Sequence, residues 1–377
     1  MKTSLTLFLL ALCSFAYANQ ADSLENALKT VKGDLKVKTL NELFRAFVNS
    51  DPVKAIGYTR EALTLATEID DRKGMAAAYN NLGVAYKNQG ALDKSLEYYL
   101  ISLKIYNKLQ NKDGIATSKS NIAALYSMKK DYGQAMSYFE EAHAAFTELG
   151  DQSKIIFSMN NLGNLHSELQ LYEQAMKYYS QASQLSQKSG KIYSDPLSNI
   201  GNLYFKQGNY QRAVGNYEQA LKIARKENNQ LTALNILANL GEVYARAGQG
   251  VKAQVYLDSA MLLNKQLQAY VYEPTILKSM ALNYSKQNKM KEAYETMVRY
   301  DLVKEKIYGE ESSRKIAQME IALDLQEKEK ELETLKTKAD LEGLELKHTR
   351  TAIIAIVLGA MVLFSIINLF FFQKKRR

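Results

Sequence analysis

Asparagine recurs in this chain at a spacing that no local structure requires. Asn81, Asn121, Asn161, Asn199 and Asn239 follow one another at 40, 40, 38 and 40 residues, and Ser279 stands 40 residues further on. Asparagine is a mediocre helix former. Its carboxamide, however, donates and accepts at once, so a row in register could bridge to a polypeptide backbone or brace neighbouring helices. Asn164 and Asn202 lie three residues beyond two members of the row, and Lys206, Arg246 and Lys286 recur at one further equivalent position. The residue types of covalent chemistry form no such pattern. His166 stands at a packing position, His143 is alone on its segment, and Glu345-x2-His348 has helical spacing without further ligands. A metal site needs three or four converging ligands. No Gly-rich phosphate loop, nucleophile elbow or Cys/His pair is present, so the sequence is read as non-enzymatic, with no catalytic residue, metal or cofactor.

The elements that must position these residues follow from a repeat. Leu82-Gly83-x2-Tyr86 returns as Ile122-Ala123-x2-Tyr126, Leu162-Gly163-x2-His166, Ile200-Gly201-x2-Tyr204, Leu240-Gly241-x2-Tyr244 and Met280-Ala281-x2-Tyr284. Twelve residues after each small residue comes a second one, then a larger residue four later: Ser95/Tyr99, Ala135/Phe139, Ala175/Tyr179, Ala213/Tyr217, Ala253/Leu257 and Ala293/Met297. Apolar spacing of three and four within each half is helical. A period near 40 means stacked helical hairpins. Gly83 and its equivalents sit where two helix backbones nearly touch, and the tyrosines fill the space between hairpins. Gly90, Gly208 and Gly248 are expected inside hairpins. Gly74, Gly114, Gly150 and Gly190 are expected as left-handed caps between them. Asp51-Pro52, Asp195-Pro196 and Glu273-Pro274 read as N-cap plus first helical residue.

This pattern resembles the tetratricopeptide repeat in a longer, roughly 40-residue form. The resemblance covers residues 40–305 as about seven units, the first built around Leu43, Ala55 and Ala62. It implies an all-α fold, a right-handed superhelix or α-solenoid. It also implies that the asparagine position faces a concave groove. Asn81, Asn121, Asn161, Asn199, Asn239, Asn164, Asn202, Lys206, Arg246 and Lys286 are then the candidate partner-binding residues, amide-rich centrally and basic toward the C-terminal end. The alternative is that the asparagines brace neighbouring helices.

The ends of the chain are of another kind. Lys2, the apolar run Leu5–Leu12 and Ala16-Tyr17-Ala18 read as a signal peptide over residues 1–18, followed by a lead helix at 19–39. Lipidation at Cys13, the only cysteine, is the rival reading, disfavoured by the bulk of Leu12 before it. Thr351–Phe372 carries no charge and is long enough to cross a hydrocarbon core. The cluster Lys374–Arg377 in the tail 373–377 marks a cytoplasmic side. Between lies a charged stretch, 306–350. There Ile321, Leu325, Lys328, Leu332, Leu335, Ala339, Glu342 and Leu346 keep heptad steps, as in a parallel coiled-coil stalk or a single solvated helix. The formal charge of +9 owes five to Lys2 and the tail, and 302–350 contributes −2. The remaining excess is spread thinly, without a basic run interleaved with aromatics, so nucleic acid is not an expected partner.

The whole resembles the sensor region of bacterial tetratricopeptide-repeat signalling proteins. Such chains continue into an output domain, whereas this sequence ends at Arg377. Two readings follow. One is a scaffold anchored in the inner membrane by a single C-terminal span, its repeats periplasmic, binding a protein or peptide with an acidic segment. The other is a receptor, possible as a parallel homodimer, that relays a signal through stalk and span to a separate output protein.

Overall fold

The computed structural model describes residues 21–308 and 310–375; the signal segment, Cys13 and the last two basic residues lie outside the described residues. Among the described residues there is no strand. The chain divides into two units, with the boundary between Ala317 and Gln318.

The first unit is a succession of antiparallel hairpins. A lead helix α1 (residues 21–28) precedes α2 (Gly33–Phe47) and α3 (Pro52–Glu68). The next hairpins are α4 (Arg72–Asn88) with α5 (Leu92–Lys108) and α6 (Lys112–Met128) with α7 (Tyr132–Leu149). They continue as α8 (Gln152–Glu168) with α9 (Tyr172–Lys188), α10 (Asp195–Lys206) with α11 (Tyr210–Lys226), and α12 (Gln230–Arg246) with α13 (Gly250–Gln266). A 3₁₀ turn, Tyr270–Tyr272, leads into α14 (Glu273–Lys286) and α15 (Met290–Tyr308). Each helix packs on the next, as a solenoid requires. The first helices of consecutive hairpins also touch one another, as in α2 with α4 and α12 with α14, whereas no pair of consecutive second helices approaches as closely. The stack therefore bends with its first helices inside, and those helices line the inner face.

Each hairpin closes on a small residue. A Cβ added at Gly83, Gly163 or Gly201 would collide with the ring of Tyr99, Tyr179 or Tyr217, and one at Gly241 with Leu257. Those rings are fully buried. Ala123 and Phe139 share a core cluster at the corresponding place in the third hairpin. Ser95, which replaces the usual alanine, donates its hydroxyl to the Gly83 carbonyl at 2.7 Å, so its burial leaves no unmet bond.

Helix ends are equally regular. Every helix from α3 to α14 is followed by one left-handed residue: Asp70, Gly90, Gln110, Lys130, Gly150, Gln170, Gly190, Gly208, Asn228, Gly248, Gln268 and Asn288. After all of these but Gly150 and Gly190 the next N–H bonds back across the last turn, as Asp71 to Ala66 and Asn111 to Tyr106, in the Schellman pattern. Two of the expected glycine caps are corrected by this. Gly74 and Gly114 lie inside the first turns of α4 and α6, capped by the Asp71 and Asn111 side chains, because Val37 and the Tyr106 ring leave no room for a Cβ. Of the prolines, Pro52 opens its helix as expected, with Asp51 accepting from the Lys54 N–H. Pro196 and Pro274 fall one residue later, after Asp195 and Glu273.

The second unit belongs to one helix, α16 (Glu310–Lys375). Beyond Arg350 it carries no charge up to Phe372, and it contains a segment apolar and long enough, by composition and length, to cross a membrane. Leu332, Leu335 and Leu346 of the heptad seam are exposed; the side chains of Ile321 and Leu325 are outside the described ones.

Gly163→Ala should destabilise the full chain by about 1–3 kcal/mol despite its better helix propensity, because the Tyr179 ring must move. Gln170→Gly should stabilise it by about 1 kcal/mol, because a side chain at φ 59 is strained. Chemical denaturation of both variants in detergent checks the opposite signs. Burial also holds the Tyr99, Tyr179 and Tyr217 phenols above their usual range and pushes Tyr244 up to about 12. Unfolded phenols ionise near pH 10 while these stay protonated, so folding retains protons and stability falls as pH rises above about 10. A melting temperature that stays level from pH 9 to 11 would contradict this.

Candidate functional site: the inner face

Helical spacing arranges the inner face in stripes: Asn81 and Val84 on α4, Asn121, Ala124 and Met128 on α6, and Phe157, Asn161, Asn164 and Glu168 on α8. They continue as Asn199, Asn202 and Lys206 on α10, Asn239, Glu242 and Arg246 on α12, and Ser279 and Lys286 on α14. Met128 and Phe157 are each 53% exposed, an unusual state for apolar side chains within an otherwise amide-lined surface.

Every asparagine of the row reaches back to the preceding hairpin. The Asn81 amide donates to the Asn41 side-chain oxygen at 2.8 Å, and Asn121 to Asn80 at 2.8 Å. Asn161 donates to the Ser120 hydroxyl at 3.2 Å, Asn199 to the Asn160 oxygen at 3.1 Å, and Asn239 to the Asn202 oxygen at 3.3 Å. Ser279 turns instead to the Thr275 carbonyl of its own helix. Asn164 and Asn202 accept from the hydroxyls of Tyr179 and Tyr217, which tie the inner face to the second helices. These bonds spend one N–H of each row member. The carboxamide oxygens of Asn121, Asn161, Asn199 and Asn239 receive no donor from the described residues. Bracing and an open acceptor thus coexist in one side chain.

The acceptor partners Asn41, Asn80, Ser120 and Asn160 were not singled out by spacing alone. A signal existed in the doublets Asn80-Asn81 and Asn160-Asn161, and in Asn41, which stands 40 residues before Asn81.

The basic set is less free than its spacing suggests. Lys206 pairs with Glu168 of the preceding hairpin at 2.8 Å. Arg246 pairs with Glu242 one turn back at 2.8 Å and lies over the Phe205 ring. Lys286 is exposed. The basic end is therefore largely compensated. Exposed pairs of this kind contribute little to stability, so their main effect here is to cancel charge.

The histidines fall outside this surface chemistry. His166 packs edge-on to Tyr178, and burial lowers its pKa. His143, expected to stand alone, shares a 2.8 Å hydrogen bond with Ser158 of the next hairpin. Among the described residues no cluster of three or more His, Cys, Asp or Glu side chains could hold a metal ion.

A family description of the tetratricopeptide repeat matches four overlapping stretches, 74–148, 114–188, 155–226 and 193–261. The chain carries tetratricopeptide repeats. Solved structures of the same fold include NprR in complex with its cognate peptide NprX. It is 17% identical, with 86% of this chain and 98% of that one aligned, at a TM-score of 0.53. A second is the Rap conjugation gene regulator of the plasmid pLS20 with the Phr* peptide, at 18% identity, 72% and 73% coverage and a TM-score of 0.54. A third is the APC/C hetero-tetramer Cut9–Hcn1, at 16% identity, 84% and 54% coverage and a TM-score of 0.53. At these identities the likeness is one of fold. No relative was found among curated protein sequences.

Removing the three central amides together, Asn121, Asn161 and Asn199 to Ala, should cost about 1.5–3 kcal/mol. That is the sum of three half-exposed hydrogen bonds at about 0.5–1 kcal/mol each. Equilibrium unfolding reads this; a cost above about 5 kcal/mol would mean that the amides serve the fold alone.

Proposed function

We propose that this protein is a non-enzymatic scaffold that binds an extended peptide segment of a partner along its inner face, held at the inner membrane by the C-terminal span. The observation that carries the reading is the row of carboxamide oxygens at Asn121, Asn161, Asn199 and Asn239. They are aligned along the inner face and have no donor among the described residues. An extended chain presents N–H groups at a regular rise and could donate to such a row without any particular sequence. Exposed Met128 and Phe157 supply apolar contacts for its side chains. The peptide complexes of NprR and the pLS20 regulator support this use of the fold. The apolar, span-length part of α16 supports the anchor. The N-terminal signal segment and the basic tail support periplasmic repeats and a cytoplasmic C-terminus.

A relay to a separate output protein is the second reading, favoured by the helix that runs unbroken from Glu310 to Lys375 with heptad leucines exposed. On that reading the stalk pairs two copies in parallel.

The test uses a photo-crosslinking residue placed at Ala124 or Leu282 on the inner face, or at the exposed Gln219 on the outer helix α11, in cells expressing the full chain. A scaffold of this kind gives a discrete adduct from the inner positions, weakened by the triple Asn→Ala variant, and none from Gln219. Adducts only from Gln219, or adducts indifferent to the asparagines, would move the partner off the inner face. Loss of the adduct on replacement of 310–372 alone would favour the relay.

A further inference from the structure

Exposed apolar side chains gather at the C-terminal end of the solenoid, above all on α15. In earlier hairpins the matching positions are covered by the hairpin that follows. Tyr99 and Leu96 of α5 share a core cluster with Ile122 and Leu125 of α6. Phe139 and Met136 of α7 do so with Leu162 and Leu165 of α8, and Tyr179 and Met176 of α9 with Ile200 and Leu203 of α10. On α15, which closes the series of hairpins, these two positions are Met297 and Tyr294. Met297 is 38% exposed where Tyr99, Phe139, Tyr179 and Tyr217 are buried, and Tyr294 is 71% exposed. Met290, Val298 and Leu302 are exposed too, so Met290, Tyr294, Val298 and Leu302 make one stripe at four-residue spacing.

The surroundings of the stripe select its occupant. Helices that lie on membranes carry a cationic polar face, whereas α15 balances Lys291, Arg299, Lys304 and Lys306 against Glu292, Glu295, Asp301 and Glu305. The first hairpin reaches α15 elsewhere. Its turn at 49–53 lines a cavity with Leu302, Val303 and Ile307, and Tyr294, Met297 and Val298 lie outside that cavity. Tyr308 ends α15 and Glu310 opens α16, with Gly309 alone between them. The helix α16 carries a second exposed apolar row, Leu332, Leu335 and Leu346 at heptad positions. Two exposed rows thus follow one another along consecutive helices of one chain. A second copy covers both at once. Parallel pairing of the stalks holds the two α15 helices at high effective concentration by chain connectivity alone. A two-fold axis lets one surface serve as both partners, and balanced charge lets like surfaces meet without net repulsion.

We infer that the stripe Met290, Tyr294, Val298 and Leu302 of α15, with Met297 beside it, packs against its counterpart in a second copy of this chain. This rests on the relay reading above, in which the stalks pair in parallel, and deepens it. The α14 helix of the same hairpin lines the inner face, so the hairpin that meets the second copy is also a wall of the groove.

The experiment expresses two differently tagged full-length copies together in cells, with a photo-crosslinking residue at Tyr294 on α15, Leu332 on α16 or Gln219 on α11. The expected result is an adduct carrying both tags from Tyr294 and from Leu332, and none from Gln219. Val298→Asp should reduce the Tyr294 adduct about tenfold or more, because it buries an unpaired carboxylate in the contact, while the Leu332 adduct persists. The same variant, purified in detergent, should keep the wild-type unfolding temperature, since the Val298 side chain is exposed. A two-tag adduct from Leu332 without one from Tyr294 overturns the α15 contact and leaves the stalk pairing standing. So does a Tyr294 adduct with a different protein only, or one indifferent to Val298→Asp. A fall of several degrees in that variant's unfolding temperature also overturns the contact, because it would place Val298 in the core. A two-tag adduct from Tyr294 alone, lost with Val298→Asp, keeps the contact and overturns the paired stalk. No two-tag adduct from either position overturns both.

Discussion

The close approach of a small residue in each first helix to a large one in its partner is the constraint on which the rest depends. Gly83, Gly163 and Gly201 let the rings of Tyr99, Tyr179 and Tyr217 lie directly on the helix backbone. The contact sets the distance between the two helices of a hairpin, and repetition at nearly constant spacing sets the same distance in hairpin after hairpin. A stack of hairpins built this way buries one continuous core, although no hairpin has a closed core of its own. The same tyrosines also reach through to the inner face, where two of them satisfy Asn164 and Asn202. Packing and surface chemistry are thus joined in single residues.

The inner face inherits its order from that spacing. Because first helices lean together on the inside, a side chain at one position meets its counterpart in the preceding hairpin. Asparagine suits such a place since it can hold its neighbour with an N–H while leaving an oxygen toward solvent. A row made only of braces would need no free acceptors, and a row made only for a ligand would need no neighbours. The second and third hairpins depart from this scheme, with Val84 and Ala124 where the next two carry Asn164 and Asn202.

Much of this was legible in the residue order. The period, the helical halves, the small-to-large contacts and the asparagine row are local or strictly repeated, so counting finds them. The pairing of Lys206 with Glu168 is not legible, because 38 residues separate them and only the stacking of α8 on α10 brings them together. The role of Gly74 and Gly114 was misread for a related reason. A glycine near a helix boundary is expected as a left-handed cap, and only the neighbouring Val37 and Tyr106 reveal that crowding, not backbone conformation, selects it. Caps then fell to Asp70 and Gln110, which the composition of a turn does not betray.

By itself the sequence determined the all-helical repeat, its register and the residues that line one face of each first helix, because helix periodicity and a 40-residue period are properties of order along the chain. Which of those residues are spent within the fold, and which remain open, only the tertiary structure decided. Hydrogen bonds and ion pairs between hairpins depend on distances between residues far apart in the chain. Those distances exist only once the glycine–tyrosine contacts have drawn the helices together.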